Sequence, residues 1–180
     1  MMPNIVLYIA MSLDGKIARS NDQLDWLFAV EGDGDNGYAD FFKTVGAVIM
    51  GRKTYEEVLK LEQGEYPYPD IPNYILTRQP DRAAEHVTFT DETIEELIDR
   101  LKGEVDQDIW LIGGGEVIKA AMEHDLIDRY EIAIAPVVLG EGIPLFPGGT
   151  KETKLRLTSH HASGQFVMMT YERQMSIEST

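Results

Sequence analysis

Apolar residues fall along this chain in short unbroken runs separated by amphipathic stretches, a pattern that predicts strands alternating with helices. Asn4 to Ala10 is almost wholly apolar through Ile5, Val6, Leu7, Tyr8 and Ile9. Such a run suits a strand covered on both faces, so it belongs at the centre of a sheet. Ala47-Val48-Ile49-Met50, Asn73-Tyr74-Ile75-Leu76-Thr77, Ile109-Trp110-Leu111-Ile112 and Tyr130 to Leu139 read the same way, and His86-Val87-Thr88-Phe89 is a shorter strand. Between them, Ile94, Leu97, Ile98 and Leu101 recur at helical spacing behind a cap at Thr90 or Asp91. Tyr55, Val58 and Leu59 mark a helix after Gly51, and Val117, Ile118, Ala121 and Met122 mark another after Gly115. A short helix holds Tyr38, Ala39, Phe41 and Phe42, capped by Asp35 or Asn36. Strands and helices in alternation imply a largely parallel sheet.

Two stretches depart from that alternation. Met11 to Asp25 is a long polar loop anchored by Trp26-Leu27-Phe28, with Asp14-Gly15 as a hairpin turn within it. Near the other end, Leu155, Leu157 and Ser159 alternate with Lys154, Arg156 and Thr158, and Phe166 to Tyr171 follows Ser163-Gly164. This predicts an antiparallel hairpin on one edge of the sheet, with a frayed tail over residues 174–180. The expected fold is therefore α/β: one domain over 1–180, with a mostly parallel central sheet, helices on both faces and a C-terminal antiparallel hairpin.

Composition narrows the function. Against 16 Lys and Arg stand 31 Asp and Glu, a formal net charge of −15. A surface of that sign repels polyanions, which excludes nucleic acid and an anionic membrane as general partners. The chain has no cysteine, so thiol nucleophiles, thiolate metal sites and disulfides are excluded. Neither a signal peptide nor an apolar run of membrane-spanning length is present, so a cytoplasmic protein is expected. His160-His161 lacks a third ligand at metal spacing, and no metal is expected.

The candidate chemistry sits where strands meet glycines. Ile112 leads into Gly113-Gly114-Gly115 and then a helix beginning Glu116-Val117. Glycine lets backbone approach a ligand, and the following helix points free N–H groups and its positive end at an anion. Gly51-Arg52-Lys53-Thr54 repeats the arrangement, with two cations where a helix dipole disfavours them unless an anion is present.

Four stretches together resemble the dihydrofolate reductase-like family, and most closely the RibD C-terminal reductase domain of riboflavin biosynthesis. They are Ile9 to Ala18 around Ser12-Leu13-Asp14-Gly15, Val48 to Thr54, Ile75 to Arg78, and Ile112 to Gly115. The run Ile134 to Phe146 is similar to the riboflavin reductase domain in particular. The resemblance implies a three-layer dihydrofolate reductase-like fold and NADPH-dependent hydride transfer to a small pteridine- or pyrimidine-like heterocycle. It implies that Ala10 and Ile17 flank the nicotinamide, and that Gly51, Arg52, Lys53 and Thr54 hold pyrophosphate. Arg52 with Thr77 and Arg78 would meet the adenosine 2′-phosphate, and Ile112, Gly113, Gly114, Gly115, Glu116 and Val117 would complete the cofactor site, with a cis bond between Gly113 and Gly114. Asp14 is the first choice for substrate contact or proton relay, with Tyr38 and Asp40 as further catalytic candidates. Where dihydrofolate reductase proper carries a carboxylate, matching on Phe41-Phe42 puts Tyr38. Where the riboflavin reductase domain carries a lysine in its first strand, this chain has Tyr8. A non-catalytic NADPH-binding module and a true dihydrofolate reductase are the competing readings. The relatives' homodimers, built through their C-terminal strands, are an assembly that the alternation at 155–171 would permit.

Overall fold

The computed structural model of the chain describes residues 2–175. Its main sheet has eight strands in the order β5-β4-β3-β6-β1-β7-β10-β9, and a two-stranded sheet joins β2 to β8. The strands are β1 (Ile5–Ser12), β2 (Lys16–Ala18), β3 (Val45–Gly51), β4 (Asn73–Leu76), β5 (Thr88–Thr90), β6 (Asp108–Gly113), β7 (Arg129–Ala135), β8 (Ile143–Pro144), β9 (Leu155–Ser163) and β10 (Phe166–Arg173). The helices are α1 (Asp25–Phe28), α2 (Tyr38–Phe42), α3 (Arg52–Leu61), α4 (Ile94–Lys102) and α5 (Gly115–Glu123). All pairings from β5 across to β7 are parallel, and β10 runs antiparallel to both β7 and β9. This is the mostly parallel sheet with a terminal hairpin that the alternation predicts.

The alternation of side chains across the pleat divides the core in two. Ile5, Leu7, Ile49, Ile109 and Leu111 point toward Leu97, Ile98 and Leu101 of α4 and Ile118 and Ala121 of α5. Val6, Val48, Met50 and Trp110 point the other way, toward Phe41 of α2 and Tyr55 of α3. The middle residues of β1, β3 and β6 are apolar in unbroken runs because both faces are covered.

Local expectations fail where caps and edges are set by neighbours. The cap of α4 is Thr93, not Thr90 or Asp91: its hydroxyl accepts from the Glu96 amide while Glu96 accepts from the Thr93 amide, a reciprocal capping box. Thr90 instead engages Glu92. Gly37, in the left-handed region, precedes α2, and Asp35 accepts from the Gly37 and Ala39 amides. The turn at Asp14-Gly15 forms, yet β2 pairs with β8 rather than with β1. Strand β7 stops at Ala135, before Pro136, instead of running to Leu139. The alternation in β9 buries almost nothing: only Ser163 at its end is buried. Gln174 bonds through its amide to the Lys154 carbonyl, and the tail expected beyond it, 176–180, lies outside the described residues. Among the described residues no helix is long and apolar enough to cross a membrane.

Candidate active site

A cleft of about 1220 Å³ opens across the C-terminal ends of β4, β3, β6 and β1. Two helices begin at its edge because their strands end in glycine. Gly51 precedes α3 and Gly114 precedes α5, and neither helix has a side-chain cap. Their first-turn N–H groups therefore remain available for an anion. Gly113 has φ +128, a conformation closed to side chains, and its bond to Gly114 is cis. The turn is also closely packed. A Cβ on Gly114 would come within 3.2 Å of Thr54 Oγ1, and one on Gly51 within 3.2 Å of Val117 Cγ2. The two helix starts are thus fitted closely to each other, and a side chain at Gly51 or Gly114 would push Val117 or Thr54 aside.

Cations gather at this end. Arg52, Lys53 and Arg78 line the cleft and are exposed. Arg52 reaches Glu56 at 3.2 Å, and Lys53 lies 4.0 Å from Asp22; both pairs are on the surface and hold their cations only weakly. The donor set of amides and guanidinium groups matches a polyphosphate. It fits the phosphates of NADPH.

The other end is aromatic. Tyr8 lies flat against Phe41, with ring centroids 3.9 Å apart at 8°. Trp110 stands edge-on to Tyr8 at 6.0 Å and to Tyr68 at 5.3 Å, with Tyr38 tilted 6.1 Å away. The Trp110 indole N–H donates to the Tyr8 carbonyl, which locks the wall to the sheet. Burial pushes the Tyr8 hydroxyl up to about 12, helped by Glu131, Asp35 and Tyr38. Burial also raises Tyr38 and Tyr68. All three phenols are therefore protonated at neutral pH, each a neutral donor. Helix α1 adds Leu27 and Phe28 to the lining, held by buried Trp26 and by the Arg19–Asp25 ion pair at 2.7 Å.

The structure brings together most of the residues expected from the resemblance. Ala10, Ile17, Gly51, Arg52, Lys53, Thr54, Thr77, Arg78, Ile112, Gly114, Gly115, Glu116, Val117 and Tyr38 all line the cleft. Gly113 is buried below its floor. The two acids lie elsewhere. Asp40 is on the exposed side of α2, paired with Lys43 at 3.3 Å. Asp14 accepts from the Ser12 hydroxyl at 2.6 Å and from the Leu139 and Gly140 amides at 3.1 and 2.8 Å. Those bonds, the Ser12 hydroxyl first, hold its carboxyl down to about 2. Asp14 thus ties the turn after β1 to the loop after β7. Sequence reasoning missed Tyr68 and Leu61 as lining residues, and gave Trp110 only a place in a strand. Tyr68 sits in a proline-rich polar loop with no periodicity to flag it. Leu27 and Phe28 were read only as an anchor, a task that Trp26 performs.

Comparison with known proteins agrees with this geometry. The chain is 49% identical over 169 residues to the uncharacterized protein YwjB of Bacillus subtilis, covering 93% of this chain and 97% of that one. A putative riboflavin biosynthesis protein from Shewanella sp. PV-4 superposes with a TM-score of 0.85 at 29% identity, covering 97% of this chain and all of that one. A Thermotoga maritima diaminohydroxyphosphoribosylaminopyrimidine deaminase/5-amino-6-(5-phosphoribosylamino)uracil reductase shares the fold, with a TM-score of 0.71 at 18% identity, over 96% of this chain and 57% of its own. The RibD C-terminal domain model matches residues 3–169, and the chain belongs to that family.

Proposed function

We propose that the chain is an NADPH-dependent reductase acting on a small planar heterocycle. One observation carries this reading: two helix N-termini without side-chain caps open onto one cleft with Arg52 and Arg78, and the same cleft ends in an aromatic wall. NADPH, when bound, supplies the hydride. The first-turn amides of α3 and α5 hold the pyrophosphate, and Arg52 with Arg78 and Thr77 takes the 2′-phosphate by charge-assisted bonds. The backbone of Ala10 and Ile17 meets the nicotinamide carboxamide, and the Ile17 side chain keeps water from the reacting faces. Tyr8, Tyr38 and Trp110 receive the substrate ring. A protonated Tyr38 hydroxyl donates to a ring heteroatom, and Asp14 acts at a distance by holding the loop at 139–140 in place.

Side-by-side titration of NADPH and NADH into the wild-type protein and an Arg52→Ala, Arg78→Ala double variant tests the reading. The wild type prefers NADPH by about tenfold or more, about 1.4 kcal/mol, and the variant loses the preference. Equal binding of the two nucleotides by the folded wild type, or binding of neither, overturns it. Oxidation of NADPH that depends on an added pterin or pyrimidine separates an enzyme from a binding module.

A further inference from the structure

The cleft is polarised along its length. Its cationic lining residues are Arg52, Lys53 and Arg78, which sit at the start of α3 and just after β4. Moving along α3 the lining changes from Arg52 and Lys53 to Glu57 and Val58 and then to Leu61, about 13 Å further on at 1.5 Å per residue. Lys60, paired on the surface with Glu57 at 2.9 Å, is not among the residues lining the cleft. Around the far end stand Tyr8, Tyr38, Tyr68 and Trp110, and Leu27 and Phe28 also line the cleft. No Lys, Arg or His lines that half among the described residues.

A phosphate placed there would meet no cation among the lining residues, inside a chain of net charge −15. A flat, uncharged ring meets aromatic rings, apolar side chains and neutral phenol hydroxyls there. We infer that this end takes an uncharged planar aromatic compound carrying no phosphate. The inference rests on the proposed function only in assigning the cationic end to the cofactor. The phosphoribosyl group in the Thermotoga protein's substrate would have no partner here.

Lumichrome, riboflavin and FMN test this, since they share a three-ring system and differ in side chain and phosphate. Binding is read by quenching of the flavin's own fluorescence, with and without saturating NADP+, whose own binding is measured first through tryptophan fluorescence. The expected result is saturable binding of lumichrome and riboflavin, with FMN at least tenfold weaker. Leu61→Arg, a change at an exposed position, places a cation at the far end and narrows the gap between riboflavin and FMN. FMN binding as tightly as riboflavin overturns the inference, as does failure of both uncharged rings to bind, or an unchanged gap in Leu61→Arg. Failure of NADP+ to bind would instead remove the cofactor reading, while the ring preference is still measured in nucleotide-free protein.

Discussion

Asp14 shows how a single residue can carry the look of catalysis and perform a different task. Its two oxygens accept three bonds from Ser12, Leu139 and Gly140. Its folded-state pKa is lowered to about 2 from an ordinary 3.8, so the ionised form is favoured by folding. The stability it contributes is therefore present above about pH 4 and is lost as pH falls toward 2. Amide protection at residues 139 and 140, the exchange rate normalised to the intrinsic rate at each pH, should fall in the wild type between pH 5 and pH 2.5. In Asp14→Asn that protection should be low throughout. Glu131 has the opposite sign. Burial raises its pKa despite Arg129, and its Oε2 is buried with no hydrogen-bond partner. A raised carboxylate pKa means that the folded state binds the proton more tightly, so stability is fullest below about pH 4.5 and declines as pH rises. Glu131→Gln should melt higher than wild type at pH 8, with the difference shrinking at pH 4.5. An unchanged melting temperature at pH 8 would show that Arg129 neutralises the charge fully.

At the scale of elements, periodicity located helices well and their first residues poorly. The helical spacing of Ile94, Leu97, Ile98 and Leu101 reports a buried face, and all four are buried. A cap depends instead on where the chain turns into the helix. Thr90, Asp91 and Thr93 are equally plausible by composition, and only the reciprocal bonds of Thr93 and Glu96 decide among them. Thr93→Ala should destabilise the fold by about 1 kcal/mol, read in chemical denaturation, and Asp91→Ala should be nearly neutral. Two equal losses would mean that the box is not the stop signal. The glycine-ended strands illustrate the converse case. Their sequence predicted both the turn and the helix start, because a helix that follows glycine without a side-chain cap is a local feature.

For the whole molecule, the decisive fact is strand order. Residues Gly51, Thr77 and Gly114 lie far apart in the chain, yet β4, β3 and β6 are neighbours, so their C-terminal ends form one edge. Parallel pairing puts all those ends on the same side, where α/β sheets hold ligands. The core beneath is a close-packed double layer, and Leu7 on β1 is fully buried within it. Leu7→Ala should cost about 2–5 kcal/mol, measured by denaturant unfolding, a large share of the stability of any domain of this size.

The sequence by itself determined the apolar strands, the glycine turns and the helices behind them. These follow from nearest-neighbour chemistry and from periodicity, which are written along the chain. Most of the residues proposed to face phosphate were legible for the same reason: each is a short motif at a strand end. The tertiary structure alone decided which residues meet. It put Tyr68 from a proline-rich loop against Trp110 from a central strand, left Asp14 and Asp40 outside the lining of the cleft, and set almost all of β9 at the surface. Those outcomes depend on contacts between residues distant in sequence, and no local pattern encodes such contacts.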